Sequence, residues 1–315
     1  MEGHDLIAPI CWLFALHLLV WPLTSTAAPI SLWRVSHGES TVYLLGSIHA
    51  AKPSFYPLSV AMDRAFEAAD RVVFEVDLQR VNDVAITTLI HDKGLYPPTQ
   101  HIEDELSTIT LKRLRDYLLR RAASDASPSS LSLADVQQMR PWYLSLVLGM
   151  QELQDAGYNP ALGIDQHYFD RARQLNKPTG ALETAEAQIL LLATDSPEAQ
   201  DLSLRSTLTT ADNLEAQLEQ LIDVWHRGDV DAMLTLSLEA EGDDPLLEQQ
   251  FKRLINDRNK QMVTHIKGYL ERTETTLVIV GSLHLGGEQG LLSLLQRGYV
   301  VTQIDSESGI YGTSD

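Results

Sequence analysis

The unit Gly-Ser-aliphatic-His occurs twice, as Gly46-Ser47-Ile48-His49 and as Gly281-Ser282-Leu283-His284. Histidine is the side chain best suited to bind a metal or move a proton near neutral pH, so a matched pair is a candidate chemical centre. Glu75 joins it from the apolar stretch Val72-Val73-Phe74-Glu75-Val76, where a carboxylate is costly to bury without a partner. Two imidazoles and a carboxylate, with one position left for water, suit a catalytic divalent metal. Such an ion lowers the pKa of its water and polarises a carbonyl, which is hydrolase chemistry. His49, Glu75 and His284 are therefore the candidate metal ligands. Glu183 has two readings: a further ligand or general base, or a carboxylate at the positive end of the helix that follows it.

Other residues stay open on type alone. Asp165 follows Gly163-Ile164 beside His167, and reads equally as a helix N-cap or as a site residue. Arg258 and Asn259 follow Asp257 on a long helix that also holds Arg253. An arginine there makes an exposed i,i+4 pair or, aimed inward, clamps a carboxylate or stabilises an oxyanion. His91, His101, His226 and His265 lie in no comparable setting and read as surface or packing residues.

These residues need elements to position them. Each Gly-Ser-X-His ends a short, charge-free, β-branched or aromatic run, at 41–45 and 276–280, which reads as a buried strand. The glycine lets the backbone turn off the strand. The histidine then lands at the strand's carboxyl end, the rim where open α/β sheets carry ligand sites. Residues 31–35 and 41–45 predict a β-hairpin across His37-Gly38-Glu39-Ser40. Residues 57–69 predict a helix with Leu58, Ala61, Met62, Ala65 and Phe66 on one face, and 71–76 a strand.

A helical pattern then occupies about 81–160, broken by the polar run 124–130. Met139, Trp142, Leu146, Met150 and Leu153 in it read as the core of a helical hairpin, or alternatively as a cap over the rim. A helix opening at Gly163 carries Tyr168, Phe169, Ala172 and Leu175, and a strand at 177–183 leads to Thr184 as an N-cap. Residues 196–271 read as helical with breaks at Gly228 and 242–245. A helix at 288–297, a strand at 298–304 and a polar tail complete the pattern. The expected fold is α/β: a central mixed β-sheet from two related halves flanked by helices, with a large helical insertion at about 81–160.

The 315 residues suffice for one large core, and the pattern is that of a single α/β domain over 29–315. Ile7 to Leu23 carries no charge and is followed by Thr24-Ser25-Thr26-Ala27-Ala28, so 1–28 reads as a cleaved secretory signal peptide. Glu2 and Asp5, with no lysine or arginine, depart from that pattern and leave a retained membrane anchor as the alternative. The expected location is periplasmic or secreted. Cys11, the sole cysteine, lies in this segment, so the mature chain is expected to use no disulfide, thiolate nucleophile or cysteine-held zinc. Formal charge is −19, or −17 without residues 1–28, which argues against nucleic acid or an anionic membrane as main partner. Arg113, Arg115, Arg120 and Arg121 read as a solvated helix face.

The residues together resemble the TraB/PrgY/GumN family, whose wider relatives include Tiki proteases and erythromycin-esterase-like proteins. The resemblance runs through Trp33, Tyr43-Leu44-Leu45-Gly46-Ser47-Ile48-His49, Phe74-Glu75-Val76-Asp77 and Gly163-Ile164-Asp165. It continues in Lys177, Leu182-Glu183-Thr184, Gln188, Asp257-Arg258-Asn259, Gly281-Ser282-Leu283-His284-Leu285 and Gly298-Tyr299. It is most similar to the bacterial GumN-type branch; Ser47 stands where the family more often has threonine. The resemblance implies a divalent-metal-dependent hydrolase, with proteolysis the activity of the Tiki branch, and it brings Arg258 and Asn259 into the site. On this reading Arg258 and Asn259 position substrate or stabilise the oxyanion, and Glu183 assists as base or as a supporting partner. Nitrogen and oxygen ligands without sulfur allow Mn, Co or Zn. A peptide or small-molecule substrate is the expected partner. Two alternatives remain: a metal-free esterase-like hydrolase in which histidine and glutamate activate water, and a non-catalytic peptide- or haem-binding protein with His49 or His284 as axial ligand.

Overall fold

The computed structural model describes residues 28–306, apart from 82, 124–130 and 242–243. The expected signal peptide, the polar run 124–130, the break at Gly242-Asp243 and the polar tail lie outside the described residues, save Ala28 and Ser306 at the margins.

Six strands form one mixed sheet: β1 (Pro29–His37), β2 (Ser40–Ser47), β3 (Arg71–Val76), β4 (Thr179–Glu183), β5 (Thr276–Gly281) and β6 (Val300–Asp305). Their spatial order is β4-β3-β5-β2-β1-β6. β1 and β2 form the expected antiparallel hairpin, and β6 pairs antiparallel with β1. β2, β3, β4 and β5 run parallel. Strands covered on both faces read as unbroken apolar runs rather than alternating ones, and this explains Thr41–Leu45, Arg71–Val76 and Thr276–Val280. Leu45, Phe74 and Ile279 pack into one face of the sheet, and Leu44, Val73, Val278 and Val280 into the other.

The helices are α1 (Val60–Ala68), α2 (Val84–Gly94), α3 (Ile102–Glu105), α4 (Thr108–Ala122), α5 (Leu133–Val136), α6 (Pro141–Asp155) and α7 (Ile164–Gln174). After β4 come α8 (Ala185–Ala193), α9 (Pro197–Thr210), α10 (Leu214–His226), α11 (Val230–Glu241), α12 (Pro245–Phe251), α13 (Arg258–Leu270) and, after β5, α14 (Leu291–Gln296). Helix α1 starts at its Ser59 cap, whose hydroxyl accepts from Ala61 N–H; it buries Ala61, Met62, Ala65 and Phe66 of the predicted stripe, while Leu58, also buried, lies just before the cap. Thr184 caps α8 as expected, accepting from Ala187 N–H.

The helices of 81–160 build a core of their own, where Leu114, Tyr117, Leu144 and Leu148 meet Leu204 and Leu208 of α9. The expected α6 stripe is displaced around the helix. Leu144 and Leu148 point inward with Trp142, while Leu146 and Met150 are exposed. Leu175, the last residue of the α7 stripe, is likewise exposed, because the helix has ended at Gln174. Of the four arginines of α4, Arg121 is turned inward and pairs with Glu152 and Asp155 of α6. Among the described residues, no helix is long and apolar enough to cross a membrane.

Candidate functional site

Parallel strands end together, so the carboxyl ends of β2, β3, β4 and β5 deliver His49, Glu75, Glu183 and His284 to one rim. The two histidine motifs lie on neighbouring strands, and Ser47 stands opposite Gly281 in the ladder. The two continuations differ. After β2 the chain leaves as an open bend and His49 stands at the surface, its side chain 60% exposed. After β5, Ser282–His284 forms a tight 3-10 turn and His284 is buried. Ser282 Oγ donates to the carbonyl of Ser47 at 3.0 Å, tying one motif to the other. Trp225 Nε1 of α10 donates to the Gly46 carbonyl at 2.9 Å.

Both imidazoles are held at Nδ1 by an oxygen. Asp165 Oδ2 lies 3.2 Å from His49 Nδ1. Asn259 Oδ1 lies 2.7 Å from His284 Nδ1. Asn259 Nδ2 donates to the Gln289 carbonyl at 2.9 Å, which fixes Oδ1 as the acceptor and Nδ1 of His284 as the donor. Each ring therefore presents Nε2, as metal-binding histidines oriented by an oxygen partner do. The two open readings of Asp165 are thereby separated: the cap of α7 is Gly163, and Asp165 in the first turn serves His49.

Glu75 is the hub. Its Oε1 accepts from Arg258 Nη2 at 2.5 Å and from Gln188 Nε2 at 3.0 Å, and lies 3.6 Å from His284 Nε2. Its Oε2 accepts from the Gly281 N–H at 2.9 Å. Burial alone would raise its pKa, but the facing His284 and the charges of His49 and Arg258 outweigh desolvation and hold the carboxyl well below the usual carboxylate range. His49 moves the other way. Desolvation lowers its pKa, yet the Asp165 hydrogen bond and the charges of Asp165 and Glu75 win and raise it.

Arg258 opens α13, directly after the π-helical stretch Lys252–Asp257. Its Nε donates to both oxygens of Glu183, at 3.0 and 3.1 Å, and Nη1 to the Leu254 carbonyl at 2.7 Å. Glu75, Glu183 and Arg258 are each at least 85% buried, the side chains being 12%, 9% and 15% exposed. Glu183 is thus the buried partner of Arg258. Arg253 is turned to Asp195 and the Leu191 carbonyl, away from this cluster. His167 lies against Tyr56 and Tyr168, its ring 5.0 Å from each.

Gly281 is the point on which the polar groups converge. A Cβ there would stand 3.1 Å from His49 Nε2, 3.3 Å from Glu75 Oε2 and 3.7 Å from His284 Cδ2. The nitrogen and oxygen donors are of the type a divalent ion of the Mn, Co or Zn kind takes. As the side chains stand, no three imidazole or carboxylate groups among the described residues close around a single point tightly enough to enclose an ion. Glu75 is instead paired with Arg258. Beside this point lies a pocket of ≈ 230 Å³, with Ser47, His49, Glu75, Asp165 and Gln188 on its polar side. Sequence reasoning did not foresee the Gln188–Glu75 and Asp165–His49 contacts. The signal available for Gln188 was its place in the first turn of a helix that starts at the rim.

The family model for the TraB/PrgY/gumN family matches residues 31–303, a span that includes every residue of the cluster. The chain is similar to the uncharacterized protein YbaP of Escherichia coli (strain K12), 25% identical over 283 residues, covering 88% of this chain and 92% of that protein. YbaP of Shigella flexneri is similar to the same extent, 25% identical with the same coverage. No solved structure matches the chain.

Proposed function

The chain belongs to the TraB/PrgY/gumN family, and from that premise we propose that it is a hydrolase that cuts a peptide or amide bond at the rim shared by β2, β3 and β5. The observation that carries this reading is the convergence of His49, Glu75 and His284 over Gly281. In this proposal His49, Glu75 and His284 hold a divalent ion of the Mn, Co or Zn type. Bound there, it supplies an acidified water and a Lewis acid for the carbonyl.

The chain's own residues do the positioning. Asp165 and Asn259 hold the two rings at Nδ1 so that both Nε2 atoms face the site. The Gly281 N–H, Gln188 and Arg258 hold the carboxylate of Glu75. Glu183 holds Arg258 in turn. All three guanidinium nitrogens of Arg258 are engaged with protein oxygens, so its part in the proposal is to fix Glu75 and to set a positive charge behind the developing oxyanion.

A second reading is favoured by the His49–Asp165 pair. An imidazole anchored at Nδ1 and open at Nε2 can also activate water without a metal. Full activity after exhaustive chelation selects that reading. We place the reaction outside the cytoplasm on the character of residues 1–28.

The test is metal analysis of the parent, His49→Ala and His284→Ala, beside a peptide-library cleavage assay with Mn, Co and Zn. The expected result is one bound ion and cleavage in the parent, and loss of both in each variant. Equal metal content in all three proteins makes the ligand set wrong.

A further inference from the structure

The pocket beside His49 has a floor whose chemistry changes at a single position. Leu45, Ile279 and Phe74 are direct neighbours in register across β2, β5 and β3, and all three pack into the same face of the sheet. Ser47 is two residues beyond Leu45 on β2, so its side chain projects on that same face. Its hydroxyl is buried, the residue being 2% exposed, and has no hydrogen-bond partner among the described residues. The matching serine of the second motif, Ser282, spends its hydroxyl on the Ser47 carbonyl. The two copies have thus diverged in use: one serine ties the strands together, and the other lines the pocket with its hydroxyl unspent. Asp165 Oδ1 is also buried without a partner, its other oxygen being committed to His49.

Phe74, Val76, Leu78 and Ile279 form the apolar part of the wall, and Gln188, its amide donating to Glu75, is a further polar residue there. Both carboxylates at its edge are already partnered, Glu75 by Arg258 behind the wall and Asp165 Oδ2 by His49 Nδ1. A cavity of about 150 Å³ accepts a benzene ring, so the ≈ 230 Å³ here accommodates a phenol.

We infer that this pocket is a specificity subsite that takes a neutral substrate side chain with an apolar body and a hydroxyl tip, the tip pairing with Ser47 Oγ. Tyrosine next to the scissile bond meets both requirements. The inference rests on the peptide-hydrolase reading for its place beside the bond to be cut. The pocket's choice of ligand can be measured without any cleavage.

The experiment therefore has two arms. In the first, p-cresol and toluene are titrated into the full-length protein, followed by NMR of the Leu78 and Ile279 methyl groups. One neutral hydrogen bond makes p-cresol bind about two- to tenfold more tightly than toluene. Ser47→Ala removes that difference, and Leu78→Trp, which fills the pocket, abolishes binding of both. In the second arm, matched peptides differing only in Tyr, Phe or Ala are compared by kcat/KM. The parent prefers Tyr over Phe, Ser47→Ala levels the two, and Leu78→Trp shifts preference toward Ala. If p-cresol does not bind, or binds no better than toluene, the subsite is refuted whatever the peptide result. Cleavage indifferent to Tyr, Phe and Ala also refutes it. Selective p-cresol binding with no peptide cut supports the pocket's ligand class and overturns the hydrolase reading instead.

Discussion

Ser47 and Gly281 face each other across the parallel ladder of β2 and β5, so the two Gly-Ser-X-His units are set one residue out of step. Had the two glycines been paired, both histidines would leave the sheet at one level. The offset and the 3-10 turn after Gly281 place one ring at the surface and the other in the interior. Glu75, from the strand on the far side of β5, closes the space between them.

Gly281 and Gly46 therefore respond differently to a methyl group. In Gly281→Ala the new Cβ meets His49 Nε2 and Glu75 Oε2 at 3.1 and 3.3 Å. Affinity for Mn, Co or Zn is expected to fall about 10–100-fold, as for other disturbed ligand supports, with the fold kept. In Gly46→Ala the Cβ meets Ser282 Oγ at 2.7 Å and Leu285 Cδ1 at 2.9 Å in the packed interior. Stability is expected to fall by about 1–3 kcal/mol. Metal titration and urea unfolding of both variants separate the two effects.

Arg258 is the cation between two buried carboxylates, Glu75 and Glu183. Arg258→Ala removes the guanidinium that both carboxylates share and is expected to cost about 3–5 kcal/mol. Arg258→Lys restores the charge but not the planar fork that reaches Glu183 through Nε and Glu75 through Nη2. It is expected to recover only part of the loss. Denaturant midpoints of the two variants check the order.

Asn259 is fully buried and spends its amide on His284 and on the Gln289 carbonyl. Asn259→Leu removes the acceptor that orients His284, and metal affinity is expected to drop about 10–100-fold. A variant that binds metal as tightly as the parent places His284 outside the ligand set.

Metal affinity is expected to depend on pH through His49. Its pKa is raised by the Asp165 hydrogen bond and by the charges of Asp165 and Glu75, so the imidazolium persists above the usual histidine range. A ligand must shed its proton. Affinity therefore rises with pH until the raised pKa is passed, by about tenfold per pH unit for one proton released. Asp165→Asn removes the main raising partner and moves that rise to lower pH. An affinity unchanged between neutral and alkaline pH, in the parent and in Asp165→Asn alike, excludes His49 as a ligand.

Local structure was legible wherever one segment carries the whole signal. The apolar runs ending in Gly46 and Gly281 are strands, Ser59 and Thr184 cap the helices expected near them, and the glycine after each run marks the rim. Burial of the carboxylate in Val-Val-Phe-Glu-Val demands a partner, and Arg258 is that partner. The helix stripe of 139–153 differs from the buried arc because α6 is half exposed, and period alone does not say which arc meets the neighbouring helices. The contacts of Asp165 with His49 and Gln188 with Glu75 join segments 116 and 113 residues apart, so no local pattern encodes them.

The indole of Trp225 is buried and tied to the carbonyl of Gly46, the first residue of the exposed histidine's motif. It is therefore a built-in optical reporter. Its emission reads the packing beneath His49 without any attached dye, and a Trp225→Phe control identifies its share of the signal from the other tryptophans. Occupancy of the rim can thus be followed by light during a titration, before any substrate is known.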